Sequence, residues 1–213
     1  MTTDDRIQRA AELYERAVFG GDTDAPAEAE RRLDAVEADL ALARGRIAHA
    51  RYLAERVVVP GELELFERAA GLYRRLGDTR GEAEALFWTG CFHQVVGDDT
   101  GTAVPLFERS LALAERAGDR LTMSYALRHL GFVAHMAGGL PVARERFEAS
   151  NRLRREVGFP AGVAANLIGL AYITAAEGDR ERALALLDEA ADLADGAAAH
   201  GIRRSIDEAR TEI

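Results

Sequence analysis

Apolar residues recur along most of this chain at alternating spacings of three and four, and glycine or proline marks the breaks between the runs. This periodicity is typical of amphipathic α-helices, and glycine tolerates the positive φ angle at which many helices end. One strand-like run, Val57-Val58-Val59, is short and is followed at once by Pro60. The pattern therefore predicts an all-α protein, with central helices near 82–96, 102–117, 121–137, 141–157, 161–177 and 180–195.

The segment from Gly81 to His200 contains one pattern three times. It begins at Leu86-x-x-Thr89-Gly90, Leu127-x-x-Leu130-Gly131 and Leu167-x-x-Leu170-Ala171. A turn led by glycine follows at Gly97-Asp98, Gly138-Gly139 and Gly178-Asp179. A small residue and a larger one four positions later come next, at Ala103/Phe107, Ala143/Phe147 and Ala183/Leu187. The second and third repeats are offset by 40 residues, and the first has one extra residue, which the pattern places in its turn. Units of this size cannot bury their apolar faces alone, so we expect them to stack.

Residues 61–200 resemble the tetratricopeptide repeat family. Leu130-Gly131-x-x-Ala134 matches the motif on that family's first helix, and Ala103/Phe107 and Ala143/Phe147 match Ala-x-x-x-Phe on its second. The repeats here exceed the usual length of about 34 residues by about one turn per helix. Where the family has a proline, this chain has Glu115, Arg155 and Asp195. The resemblance implies a right-handed α-solenoid of stacked antiparallel helix hairpins.

The two ends of the chain depart from the repeat. We predict N-terminal helices over 1–60, a repeat array over 61–200 and a C-terminal capping helix over 201–213. A heptad seam follows a first helix near 4–19 and consists of Leu33, Val36, Leu40, Ala43, Ile47, Ala50, Ala54 and Val57. The seam belongs either to one long helix or to a degenerate repeat that breaks near Gly45 and has its second helix at 62–76. The small size of Gly45 favours the degenerate repeat.

The first helices of such stacks line a concave groove. Carrying over the family's spacing of groove positions selects one set of residues from each repeat. The set is Glu84, Phe87, Cys91, Gln94 and Val95; Tyr125, Arg128, Phe132, His135 and Met136; and Ala165, Ile168, Tyr172, Ala175 and Ala176. An apolar concave surface rimmed by polar groups is typical of a binding site. In the alternative, the N-terminal helices cover these residues, which are then part of the core.

Charge and composition narrow the choice of partner. The net charge of −9 and the pI of about 5.1 disfavour direct binding of nucleic acid. The first residues lack the apolar stretch of a secretory leader, and no apolar run is long enough to cross a bilayer. The single cysteine, Cys91, fits a reducing compartment. We therefore expect a cytoplasmic protein that binds neither membrane nor nucleic acid.

Candidate chemistry is sparse. His135 and Cys91 are weak catalytic candidates, since a nucleophile pair needs contact of about 3 Å and an orienting third group. The spacings predict no metal site and no cofactor. The preferred hypothesis is an interaction scaffold that binds an apolar peptide or protein segment in the groove, with Arg128 pairing a carboxylate. The alternatives are a small-molecule sensor or unusual enzyme that uses the same groove, and a homodimer formed through residues 33–57.

Overall fold

The computed structural model describes residues 4–213, and every regular element in that range is helical. The all-α prediction and the arrangement of successive, mutually packed helices are therefore confirmed. The first three residues of the predicted 1–60 segment, where a leader was judged absent, lie outside the described range. The chain forms two compact units, Met1–Leu106 and Phe107–Ile213, which divide within the predicted repeat array.

The N-terminal unit contains four helices and the beginning of a fifth. They are α1 (Asp5–Gly20), α2 (Ala25–Glu55), α3 (Glu62–Leu76), α4 (Thr79–Cys91) with a π-helical continuation (Phe92–Val96), and the start of α5 (Thr100–Ala117). Helix α2 packs against both α1 and α3, and α3 packs against α4. Asp24 precedes α2, and Pro26 lies in its first turn, where a missing backbone N–H costs nothing.

Helix α2 runs without interruption through Gly45, so the favoured prediction of a break at this residue is wrong. Position 45 nevertheless requires a small residue. A methyl group built on Gly45 would lie 2.5 Å from the ring of Phe66 in α3. Gly45 therefore permits the close approach of two helices, and the intrahelical hydrogen bonds keep α2 continuous.

The extra residue of the first repeat lies in a helix and not in the turn. In the π-helical segment the Gly97 N–H donates to the Phe92 carbonyl, five residues back. A π turn holds one residue more than an α turn, so it absorbs the insertion. The positive φ angle consequently falls on Asp98, and Gly97 has φ −87°.

The C-terminal unit consists of the rest of α5 and five further helices. They are α6 (Arg120–Met136), α7 (Leu140–Glu156), α8 (Pro160–Ala176), α9 (Arg180–Gly196) and α10 (His200–Glu212). The closest packing is within the α6–α7 and α8–α9 hairpins, and α7 joins them by packing on α8. The predicted central helices are confirmed to within about three residues at each end.

A left-handed residue follows each helix from α5 to α9, at intervals of 20 residues. These residues are Gly118, Gly138, Gly158, Gly178 and Ala198. At Gly138 the N–H donates to His135, and the next N–H donates to Ala134, which satisfies two terminal carbonyls. Each helix with its turn therefore has a fixed length, which explains the 40-residue offset between hairpins.

The repeated small and large positions form the core. The alanines at 103, 143 and 183 are buried, as are Phe107, Phe147 and Leu187. A methyl group on Gly131 would lie 3.3 Å from the Phe147 ring, so α6 and α7 approach closely at this motif. Helix α10 buries Ile206 and Ala209 against α9 and α8 and keeps its polar face exposed. It forms the predicted C-terminal helix.

Candidate functional site

Seven of the ten predicted groove positions of the second and third repeats line one cavity in the C-terminal unit, and Tyr125, Ala175 and Ala176 do not. Helix α6 contributes four of the seven, α8 contributes three, and α7 and α10 complete the wall. The lining residues are Arg128, Phe132, His135 and Met136; Ala165, Ile168, Gly169 and Tyr172; and Phe147, Ile202 and Ser205. The cavity has a volume of about 360 Å³, within the usual range of ligand pockets. We call it the Arg128 cavity.

Two large apolar side chains lie exposed at the edge of this cavity. Phe132 is 49% exposed and Met136 is 69% exposed, although both belong to the same helix as buried core residues. Exposed apolar residues beside a concave site are more informative than isolated ones on a convex surface. The apolar wall thus continues from the interior of the cavity to its edge.

Arg128 provides the positive charge of the cavity. Its Nη1 donates to the carbonyl of Ala165 at 2.7 Å and to Oδ1 of Asn166 at 2.8 Å. The guanidinium lies 5.9 Å from the centre of the Phe147 ring. These contacts fix the side chain in place, and burial lowers the pKa of Arg128 to about 10. At neutral pH it remains a cation.

A second arginine lies behind the first. Arg154 is 2% exposed, and its Nη1 donates to the Gly162 carbonyl at 2.5 Å and to Asn166 Oδ1 at 3.1 Å. The same amide oxygen therefore accepts from both arginines, while Asn166 Nδ2 donates to Ser150. Burial, and next the charge of Arg128, lower the pKa of Arg154 to about 9.

Neither guanidinium has a carboxylate partner within the described residues. A half-buried cation, Arg128, and a buried one, Arg154, are thus held by neutral acceptors and leave a positive potential at the inner wall of the cavity. Sequence reasoning identified Arg128 and missed Arg154, because all predicted groove positions were taken from the first helix of each repeat and Arg154 belongs to a second helix. An anionic group entering the Arg128 cavity would supply the missing charge.

The remaining polar groups of the cavity do not form a catalytic arrangement. His135 has a buried Nδ1 with no hydrogen-bond partner in the described range. Tyr172 donates to Glu212 of α10 at 2.6 Å, and burial together with that carboxylate raises the pKa of Tyr172 to about 12. Among the lining residues there is no carboxylate or thiol that would orient His135 as a base or act as a nucleophile.

The first-repeat positions lie in the N-terminal unit, where two of them are buried and three are half-buried. Phe87 and Cys91 are each 2% exposed, so the prediction that they face a ligand is wrong for both. Burial raises the pKa of the Cys91 thiol well above its usual value, which disfavours the reactive thiolate. Glu84 pairs with Arg46 of α2 at 3.1 Å. Gln94 is half-buried in the π-helical segment.

Helix α2 explains much of this difference. Its Tyr52 donates to the Val95 carbonyl at 3.2 Å, and its Arg46 guanidinium lies 5.5 Å from the Trp88 ring. Side chains about two turns apart on α2 therefore contact α4 and its π-helical continuation. Among the predicted groove positions of the first repeat, α2 thus contacts Glu84 and the backbone of Val95.

Tyr125 also departs from the prediction. It is half-buried, does not line the Arg128 cavity, and lies 5.4 Å from the Arg154 guanidinium and 6.1 Å from the Phe159 ring. Its ring covers the buried arginine. Conversely, sequence reasoning gave Phe147 only a packing role and residues 201–213 only a capping role, and thereby missed Ile202 and Ser205. The apolar face of α10 was visible in the sequence, but its position beside α8 was not.

A second buried polar cluster lies in the N-terminal unit and was not predicted. His49 Nδ1 and Glu62 Oε1 are 2.8 Å apart, and both residues are buried. The His49 ring lies edge-on to Trp88 at 5.6 Å. A hydrogen-bonded pair of this kind fixes how α2 and α3 pack, since separating them would leave a buried carboxylate unpaired.

The fold is that of a helical-repeat protein, and its C-terminal unit contains a preformed, largely apolar cavity with a guanidinium on its wall. No protein-family model matches this sequence, and no curated protein matches it significantly. Between residues 4 and 213 no helix is both long and apolar enough to span a membrane. In the same range, no three His, Cys, Asp or Glu side chains cluster as metal ligands would.

Proposed function

We propose that this protein is an interaction module of the tetratricopeptide-repeat type, whose Arg128 cavity binds an apolar segment of a protein partner. The observation that carries the proposal is the continuity between the cavity and the exposed side chains of Phe132 and Met136 at its edge. Aromatic side chains and arginines are the usual anchors of protein interfaces. A partner would insert one apolar side chain and cover the two exposed residues.

The charge distribution adds a second feature of the ligand. The Arg128 guanidinium has no carboxylate within the described chain and lies on the cavity wall. Charge-assisted hydrogen bonds from arginine to carboxylate are among the stronger polar contacts. The bound segment should therefore carry an Asp, a Glu or a terminal carboxylate next to its apolar anchor.

Selection from a random peptide library against the full chain tests this proposal. We expect the selected peptides to combine an aromatic or aliphatic residue with a nearby carboxylate. In calorimetric titrations, Phe132→Asp should weaken binding by at least about tenfold, with unchanged far-UV circular dichroism. Val142→Asp is the matched control, because Val142 is 46% exposed on α7 and does not line the cavity. Equal losses in both variants would contradict the proposal.

A small amphiphilic carboxylate is the second candidate ligand. The volume of the cavity and its closure on one side by Ile202 and Ser205 of α10 favour it. Native mass spectrometry of the purified full chain would detect a retained compound, and Arg128→Met should release it. Decanoate, with decanol as the uncharged control, is a defined probe. Binding of decanoate without any peptide selection would replace the protein partner with a small molecule.

A further inference from the structure

Helix α2 has apolar residues on two opposite faces. One face holds Ala38, Leu42 and Gly45 and is buried inside the N-terminal unit. The other is part of the heptad seam and is open. Leu33, Leu40 and Ile47, spaced by seven, are 45%, 48% and 59% exposed. We call the open face the α2 stripe, which consists of Leu33, Val36, Leu40, Ala43, Ile47 and Ala50.

Larger and smaller residues alternate along the α2 stripe. Their order allows the stripe to pack against a second copy of itself that runs in the opposite direction. In heptad notation Leu33, Leu40 and Ile47 occupy position a, and Val36, Ala43 and Ala50 occupy position d. An antiparallel copy would place Leu33 opposite Ala50 and Leu40 opposite Ala43. The remaining layer would pair Val36 with Ile47. Each layer then combines a larger residue with a smaller one, which allows close packing without overlap.

The charges along one edge of the stripe select the same arrangement. Position e holds Glu30, Glu37, Arg44 and Arg51, so the edge is acidic in its first half and basic in its second. An antiparallel pairing in the same register sets Glu30 beside Arg51 and Glu37 beside Arg44. Because the dimer is symmetric, each of these two pairs forms twice. Glu30, Arg44 and Arg51 are exposed, and Glu37 is half-buried. Glu30, Arg44 and Arg51 form no ion pair within residues 4–213, and Glu37 pairs with Arg68 at the surface.

A parallel pairing is less suitable. It would set position g beside position e of the second copy in three pairs, Arg32 with Glu37, Asp39 with Arg44 and Arg46 with Arg51, and in the last of these like charges repel. All three residues at position g are moreover engaged within their own chain, Arg32 by Glu28, Asp39 by Arg6 and Arg46 by Glu84. The acidic-to-basic gradient along position e therefore distinguishes the two directions.

We propose that the α2 stripe is the interface of an antiparallel homodimer, formed by a second copy of this chain about a two-fold axis between Leu40 and Ala43. The interface is isologous, with the same residues on both sides. It belongs to the N-terminal unit and uses none of the residues that line the Arg128 cavity.

Sedimentation velocity of the full chain over a range of concentrations tests the interface. We expect a species of twice the 23.1 kDa chain mass. Leu40→Asp should raise the dissociation constant by at least about 100-fold, because each dimer buries the residue twice. Val142→Asp, a similarly exposed position on α7, should leave the dimer intact. A wild-type chain that stays monomeric, or a dimer insensitive to Leu40→Asp, overturns the proposal.

A charge-exchange experiment tests the direction. The variant Arg44→Glu/Arg51→Glu makes position e wholly acidic, and Glu30→Arg/Glu37→Arg makes it wholly basic. Each variant should self-associate more weakly than wild type, and an equimolar mixture should restore the dimer. A parallel dimer would gain nothing from mixing, because its position e faces an unchanged position g. A mixture no stronger than either variant alone therefore refutes the antiparallel arrangement.

Discussion

Alanine at position 45 would place a methyl group against the ring of Phe66. The three nearest ring carbons would lie 2.5, 2.8 and 3.0 Å from the new Cβ, inside van der Waals contact. The ring cannot move away easily, because Phe66 is fully buried and stacks on Trp88 at 6.0 Å. Gly45→Ala is therefore expected to destabilise the N-terminal unit, although alanine favours helix.

Two opposing terms set the size of the effect. Replacing a glycine within a helix by alanine gains about 1 kcal/mol from helix propensity. Overpacking a buried contact costs about 1–3 kcal/mol. Because the contact at Gly45 is so short, we expect the cost there to lie at the upper end of this range. The net expectation is a loss of about 2 kcal/mol in the free energy of unfolding.

Gly71 provides the matched control. It also lies within a helix of the N-terminal unit, but a methyl group there would be 4.0 Å from its nearest neighbour, the Arg75 guanidinium. Gly71→Ala should therefore stabilise by up to about 1 kcal/mol. Urea denaturation followed by far-UV circular dichroism should place the two variants about 3 kcal/mol apart.

A compensating change tests the cause. Phe66→Leu removes the ring carbons that the new methyl group would meet. In the double variant Gly45→Ala/Phe66→Leu the loss should be smaller than the sum of the two single losses. If Gly45→Ala stabilises as much as Gly71→Ala, or if the two changes are additive, the close approach of α2 and α3 at Gly45 is refuted.

Three further predictions concern buried polar groups. His49→Ala should cost about 3–5 kcal/mol in urea denaturation, because it leaves Glu62 buried and unpaired; an unchanged midpoint would contradict the packing role of the pair. Asn166→Leu should cost about 3 kcal/mol by removing the shared acceptor of two arginines, and Arg154→Met in that background should recover part of the loss. Burial raises the pKa of Cys91, so the unfolded chain loses that proton first and stability should fall as pH rises above the ordinary thiol pKa. Cys91→Ala should flatten this decline between about pH 8 and 10, and an unaltered decline would refute the assignment.

The sequence determined the local elements well, because their signals are short in range. Three- and four-residue spacing fixed the helices, and glycines at intervals of 20 fixed where several of them end. The pairs Ala143/Phe147 and Ala183/Leu187 were correctly expected in the core. These features depend on backbone geometry and on side-chain volume a few residues away, both of which a single sequence contains.

The groove positions predicted from the repeat have different surroundings in the two units. Arg128, Phe132 and Tyr172 line the cavity, as the repeat spacing indicated. Phe87 and Cys91 occupy equivalent places in the first repeat, yet they are buried. Periodicity specifies the face of a helix that a residue occupies, but exposure depends on what packs against that face.

Tertiary structure alone decided three things about this protein. It kept α2 continuous through Gly45, because the hydrogen bonds of a long helix outweigh one glycine when a neighbouring ring fills the space beside it. It placed Arg154 behind Arg128, with both side chains donating to the amide oxygen of Asn166 in α8. No local spacing in the sequence encodes this contact between helices. It left the α2 stripe open while burying the opposite face of the same helix. The sequence by itself determined which faces are apolar, and only the packing of distant segments decided which of them remain available for binding.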